Sequence, residues 1–235
     1  QKQYITDNPN PAGKKHQLDA APTGTPYDKA HAAYHPWLRE FMTERGYYDI
    51  FLFDPQGDLV YTVFKEPDFA TNLLTGQWRD TDLSKAFQAA MKSAPGTESF
   101  FDFNAYAPSD GAPASFISTA IRDDNGAIIG VLAFQMPIGR INRIMQSAAG
   151  MGQSGETYLV GPDKLMRSDS RFAKESTILK SKIDTTTVAK ALSGATGVDE
   201  ILDYRESLRT PRLDEDIFSI FKTYYCKFIV IFNFH

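Results

Sequence analysis

A single cysteine, Cys226, stands in 235 residues. No internal disulfide can form, so a disulfide-stapled scaffold and a cysteine metal cluster are excluded. Histidine is almost as scarce. His31 and His35 lie at a helical spacing that can hold zinc, but Ala32, Ala33 and Tyr34 fill the gap where a zinc protease places its glutamate. His16 and His235 fall in a loop and at the terminus, so three or four ligands are not assembled; the pair reads as solvated or capping. A long apolar run is missing too. The nearest approach, residues 217–234, is broken by Lys222 and Lys227, and a membrane helix needs roughly 20 apolar residues. Nor does one sign of charge dominate: 25 Lys and Arg against 29 Asp and Glu leave a net charge of −4. The basic residues are interleaved with acidic ones, whereas a duplex binder clusters them, so no nucleic-acid partner is expected. The chain opens at Gln1 without a charged-then-apolar leader and reads as a piece of a longer protein.

What is present is ordinary soluble material, 42% hydrophobic and 23% charged, enough for a sizeable core. Residues 8–26 read as a loop. A helix is expected over 27–45, with Trp37, Leu38, Phe41 and Met42 on one face, Gly46 as its stop, and Pro36 kinking it or starting a second helix. Strands over 48–53 and 59–64 flank the turn Asp54-Pro55-Gln56-Gly57. Short helices are expected at 69–74 and 81–91, the second capped by Thr81 or Asp82. Strands at 99–103, 114–121 and 127–136 follow, the last two joined through Asn125-Gly126. That order is the order of a PAS-like antiparallel sheet. Pro137 opens a further helix whose buried face is Ile138, Ile141, Ile144 and Met145. A second hairpin, Tyr158-Leu159-Val160 into Leu165-Met166, echoes the first and implies two lobes of one design.

Candidate chemistry is thin. Gly150-Met151-Gly152-Gln153-Ser154-Gly155 matches the dinucleotide fingerprint, but a helix precedes it and a strand follows, the reverse of what pyrophosphate binding needs. It reads as a flexible joint, and no cofactor is expected. Ser168-Asp169-Ser170, flanked by Arg167 and Arg171, lacks a histidine base and reads as a hydrogen-bonded turn with a local Arg–Asp pair. Asp80 and Asp82, and Asp123 and Asp124, suit caps and turns. Binding chemistry remains. Aromatic walls and polar tips mix across Tyr61, Phe101, Asp102, Tyr106, Ser109, Phe116, Ser118, Phe134 and Met136, the blend of a small-ligand pocket. The alternative is that these aromatics fill the inner face of the sheet.

Three runs carry a family resemblance: residues 47–54 (Tyr47-Tyr48-Asp49-Ile50-Phe51-Leu52-Phe53-Asp54), Pro113-Ala114-Ser115-Phe116-Ile117, and Gly155-Glu156-Thr157-Tyr158-Leu159-Val160-Gly161. With Leu165-Met166-Arg167-Ser168-Asp169-Ser170-Arg171-Phe172, they resemble the double Cache sensor domains of chemotaxis receptors, membrane cyclases and histidine kinases, over about residues 1–205. The resemblance implies an α+β fold, with a long N-terminal helix and two PAS-like lobes built on antiparallel sheets. On that reading residues 1–46 are the helical segment, 47–136 the membrane-distal lobe, 137–149 a connecting helix and 150–235 the membrane-proximal lobe. It further implies an extracytoplasmic, periplasmic location between transmembrane helices outside this chain. A small ligand such as an organic acid or amine would sit in the distal lobe, with no catalysis and a homodimer through the first helix. The family's amino-acid-binding pattern of Arg followed by Trp and Tyr is absent, since Trp78-Arg79 runs in the wrong order. From about residue 206 the chain departs from the family pattern. A ligand-free interaction module and, last, a hydrolase centred on Ser168 are the competing readings.

Overall fold

The computed structural model describes residues 1–153, 155–202, 213–222 and 227–234; Cys226, His235 and Ser154 of the glycine-rich stretch lie outside them. The chain divides into two units, Gln1–Pro137 and Ile138–His235.

The first unit opens with a π-helical turn, Lys2–Thr6, and a 3-10 turn, Lys15–Gln17, interrupts the loop expected over 8–26. Helix α1 (Pro26–Arg45) then starts on a capping box: Thr25 accepts the Asp28 N–H while the Asp28 carboxylate accepts the Thr25 N–H. It runs through Pro36 without a second start and stops at Gly46, whose φ of 75° is left-handed. Its buried face is not the expected apolar one. Asp28, His31, His35 and Met42 are buried, Leu38 and Phe41 are packed only in part, and Trp37 is 60% exposed. Helical periodicity alone could not see that polar residues would find partners inside.

Strands β1 (Asp49–Phe53) and β2 (Leu59–Thr62) form the expected hairpin, and α2 (Asp82–Lys92) is capped by Thr81 as expected. β3 (Glu98–Tyr106), β4 (Ala112–Arg122) and β5 (Ile128–Gln135) complete an antiparallel sheet in the order β2-β1-β5-β4-β3. The short helix expected at 69–74 does not form. Ala70 has φ 58°, and this segment instead bonds to β2 and its turn, through Leu59 N–H to Thr71, Ala70 N–H to Leu59 and Leu73 N–H to Gly57. Backbone pairing with an edge strand satisfies more donors than one helical turn could.

Both faces of the sheet are covered. Phe51, Phe53, Phe116, Val131 and Ala133 meet Leu83, Ala86, Phe87 and Ala90 of α2. On the other face Ile50, Tyr61 and Val63 meet Met42, Leu38 and Phe41 of α1. Each face therefore has its own core.

The second unit contains α3 (Ile138–Met145), β6 (Glu156–Val160), α4 (Thr186–Leu192), β7 (Gly197–Leu202), β8 (Leu213–Lys222) and β9 (Lys227–Phe234). Its four strands pair antiparallel in the order β6-β9-β8-β7. The segment beyond 206 thus contributes strands where it is described. α3 forms as expected, but none of its residues is fully buried and Ile144 is 62% exposed, against the expected buried stripe. The second hairpin forms through a Val160–Met166 bridge. A β-carbon at Gly161 would lie 2.3 Å from the Arg167 guanidinium carbon, so a larger residue there would displace that side chain.

Candidate functional site

The nine residues expected to wall a pocket do not converge. Tyr106 and Phe116 pack ring to ring at 5.0 Å on the α2 face, with Phe101 against the same core. Ser118, also buried, donates to the Ala86 carbonyl of α2 at 2.8 Å. Tyr61 and Phe134 belong to the α1 face; Tyr61 bonds to His35, and Phe134 stacks on Tyr47 at 4.6 Å. Met136 follows β5, its N–H on the Ser115 carbonyl, and Asp102 accepts the Phe103 N–H at an irregularity in β3. The aromatic floor under α2 closes on itself, Phe116 touching both Tyr106 and Phe51.

Polar groups gather at one end of that floor. Period-two alternation puts Asp49 on the same face as Phe51 and Phe53, and Gln135 on the face of Val131 and Ala133. β1 and β5 place Asp49 opposite Gln135, and β4 places Phe116 opposite Gln135. One oxygen of Asp49 accepts three backbone N–H groups, from Ile50 (2.7 Å), Val63 (2.9 Å) and Phe64 (3.0 Å); the other oxygen has no partner. Asp68, carried by the segment between β2 and α2, accepts the Tyr106 hydroxyl at 2.6 Å on one oxygen and nothing on the other. Gln135 Oε1 is also unpartnered. Beside them Glu66 accepts Ser109 (2.5 Å) and Tyr48 (2.9 Å).

Burial controls the charge here. Asp49 and Asp68 are both 0% exposed. Loss of water holds Asp49 well above the usual carboxylate range, and the nearby Asp68 charge raises it further. Burial, outweighing the Tyr106 hydrogen bond, pushes Asp68 up to about 7. Burial raises Glu66 and Tyr106 as well. A buried polar group left without a partner costs about 1–3 kcal/mol, so three such atoms at one end of the sheet make it the candidate place for a bound polar group.

Lys65 lies beside this cluster. It is 3% exposed, with its ammonium 4.3 Å from the Tyr61 ring centre, 5.1 Å from Phe69 and 5.9 Å from Tyr4. Burial pulls it down to about 7, and the Asp49 charge opposes that shift.

The histidine pair is buried, not solvated or capping. His31 and His35 stack at 4.2 Å. His35 Nε2 donates to the His16 carbonyl at 2.7 Å, and its Nδ1 meets the Tyr61 hydroxyl at 2.7 Å. His31 Nδ1 donates to the Asp19 carbonyl at 2.7 Å. Burial first, then the Lys65 charge, lowers His31 to about 4 and His35 to about 3, so both are neutral anchors for the N-terminal segment. Among the described residues no group of three or more metal-ligating side chains occurs.

Ser168 is buried with its oxygen accepting the Leu159 N–H at 2.9 Å, and Asp169 accepts Ser176, Asn142 and the Thr177 N–H. The turn opens at Ser170, whose carbonyl accepts the Ala173 N–H, and Arg167 forms an ion pair with Asp163 at 2.9 Å. A cleft of about 430 Å³ opens on the α1 side between Tyr27, Tyr34, Trp37, Leu52 and Val60.

No protein-family model matches the chain, and no curated protein sequence does. Solved structures do. The extracellular domain assigned to a histidine kinase, rpHK1S-Z16, superposes with a TM-score of 0.60 at 14% identity, over 85% of this chain and 76% of that one. The ligand-binding domain of the Pseudomonas aeruginosa PAO1 amino-acid chemoreceptor PctC, in complex with GABA, gives 0.55 at 16% identity, over 93% and 85%. That of the Pseudomonas fluorescens chemoreceptor CtaA, in complex with L-serine, gives 0.54 at 15%, over 99% and 83%. The chain has their Cache-like fold. Within it, the N-terminal helix and the five-stranded antiparallel sheet are the parts the sequence anticipated. The acidic end of the sheet was missed, although a charged residue at an inward position of β1, two before Phe51, was the available signal.

Proposed function

We propose that the chain is the extracytoplasmic sensing region of a bacterial transmembrane receptor, and that its ligand is a small organic amine held at the acidic end of the first sheet. The observation that carries the reading is the set of unpartnered acceptors on Asp49, Asp68 and Gln135. Acceptors without donors call for a molecule that brings N–H groups, and buried carboxylates call for one that brings positive charge. Tyr106, Ser109 and Phe116 of the expected pocket frame this end, while Tyr61 and Phe134 support it from the other face. An organic acid would meet further acceptors and two acids of its own sign. An α-amino acid would bring a carboxylate as well, and the family's Arg-then-Trp-and-Tyr pattern that receives one is absent from the sequence.

The second unit reads as the membrane-proximal lobe of a double Cache arrangement, with transmembrane helices flanking this chain. The spacing of Tyr27, Ala30, Tyr34 and Trp37 on α1, with Tyr34 67% exposed, supports pairing of two copies through that helix. The second reading, a ligand-free interaction module, is favoured by the closed aromatic contacts of Phe51, Phe116 and Tyr106. A thermal-shift panel of amines, organic acids, amino acids and purines separates the two. An amine at about 100 times its dissociation constant should raise the melting temperature by about 5–10 °C, and Asp68→Asn should abolish the shift. A panel in which only organic acids stabilise, or nothing does, rejects the amine site.

A further inference from the structure

We propose that residues 1–21 form an acid-released strap, docked while His31 and His35 each carry one proton and let go when either ring takes a second. The inference is independent of the amine reading. It starts from how each ring nitrogen is used. His31 Nδ1 donates to the Asp19 carbonyl and His35 Nε2 to the His16 carbonyl, each at 2.7 Å. Each ring therefore spends its one proton on the segment that precedes α1. The other two nitrogens have no use for a proton. His31 Nε2 is buried without a hydrogen-bond partner, so a hydrogen placed there would meet no acceptor. His35 Nδ1 accepts the Tyr61 hydroxyl at 2.7 Å, and protonating it would deprive that hydroxyl of its acceptor.

The surroundings offer the new charge no counter-ion. The two rings stack at 4.2 Å, so an imidazolium on one lies against the other. Tyr4 and Tyr61 flank His31 at 4.5 Å and 5.6 Å, and the Lys65 ammonium already sits over both of those rings. Arg39 adds a second cation, donating to the same His16 carbonyl as His35. Of the carboxylates on this side, Asp28 is taken up by Tyr4, Thr23 and Thr25, and Asp19 by Arg39. His16 is itself drawn down by burial, Arg39 and Lys65, while burial keeps Tyr4, Tyr27 and Tyr61 neutral. The low proton affinity of His31 and His35 agrees with this geometry.

The strap can leave alone. It packs through a small cluster of Tyr4, Ala21 and Phe69, joined by Ile5 and Leu18, and neither sheet core draws a residue from 1–25. Opening such a segment demands less than unfolding the whole unit. Both rings bind a proton more readily once the strap is off, so opening is favoured as pH falls below about 6.5. The sheet responds the other way, because buried Asp49 and Asp68 hold protons more tightly in the folded state.

Amide exchange of the full chain at pH 7 and pH 5, corrected for the intrinsic rate at each pH, tests this. The Ala21 N–H, which donates to Tyr4 Oη at 3.3 Å, and those of Gln17 and Leu18 should lose protection by about tenfold or more, while β1 and β5 hold theirs. His31→Asn combined with His35→Gln keeps an amide donor near each carbonyl and does not titrate. Its strap protection should change by less than about threefold. No loss in the wild type, an equal loss in the variant, or a loss shared by strap and sheet overturns the proposal. Should the variant already be open at pH 7, nitrogen NMR of the wild-type rings decides. Imidazolium that appears only in step with strap exchange supports the proposal; imidazolium within a strap still docked overturns it.

Discussion

His31 and His35 illustrate how far a side chain's surroundings can override its spacing. Four apart on a helix, they carry a zinc-like pattern, yet His35 spends both ring nitrogens on the His16 carbonyl and Tyr61, and His31 spends Nδ1 on the Asp19 carbonyl. Their depressed proton affinity has a consequence for stability. In the unfolded chain histidine protonates near pH 6.5, while in the folded state these two stay neutral down to about 4 and about 3. The unfolded state therefore binds more protons as pH falls below about 6.5, and stability drops by up to about 1.4 kcal/mol per pH unit for each histidine. Above that pH their contribution is complete. Melting temperatures of the wild type and a His31→Gln/His35→Gln variant, followed from pH 7 to 4.5, should converge because the wild type falls more steeply. Parallel profiles would show that the two rings titrate normally. Asp49 and Asp68 were harder to read from sequence than the histidines. A carboxylate's burial depends on a strand register and on a loop 15 or more residues away, neither of which local pattern reveals.

Elements were legible where turn and cap chemistry is local. Asp54 to Gly57 makes the first hairpin, Thr81 starts α2, Gly46 ends α1, and Asn125-Gly126 joins β4 to β5. They failed where tertiary bonds decided the outcome. The segment 69–74 gave up a helical turn to bond with β2, and α1 turned His31 and His35 inward while leaving Trp37 outside. α4, capped by Thr185, went unforeseen because its seven residues offer little periodicity. The cap of α1 permits a quantitative check. Thr25 both accepts the Asp28 N–H (3.2 Å) and donates to the Asp28 carboxylate (2.8 Å). Thr25→Ala should cost about 1 kcal/mol in urea or thermal unfolding. A loss below about 0.3 kcal/mol would mean that Thr23 and Tyr4, which also bind Asp28, hold the helix start unaided.

For the molecule as a whole, the likeness to extracellular receptor domains fixes an architecture, and the buried polar end of its first sheet supplies the chemistry that the architecture leaves open. On the proposed sensing role, a bound donor at this end would favour the state that holds it. The proton balance makes the proposed amine site measurable. Burial pushes Asp68 up to about 7, and an ammonium ligand would prefer it ionised, so the proposal predicts proton release on binding at lower pH. The decisive measurement is calorimetric titration of the wild type and Asp68→Asn with propylamine at pH 6, 7 and 8. Wild-type affinity should rise toward pH 8 with proton release at pH 6, and Asp68→Asn should bind far more weakly and with a shallower dependence, the remainder coming from Lys65 and Asp49. Affinity that is flat with pH, or equal in the two proteins, would contradict the assignment of Asp68 as the group that receives the ligand.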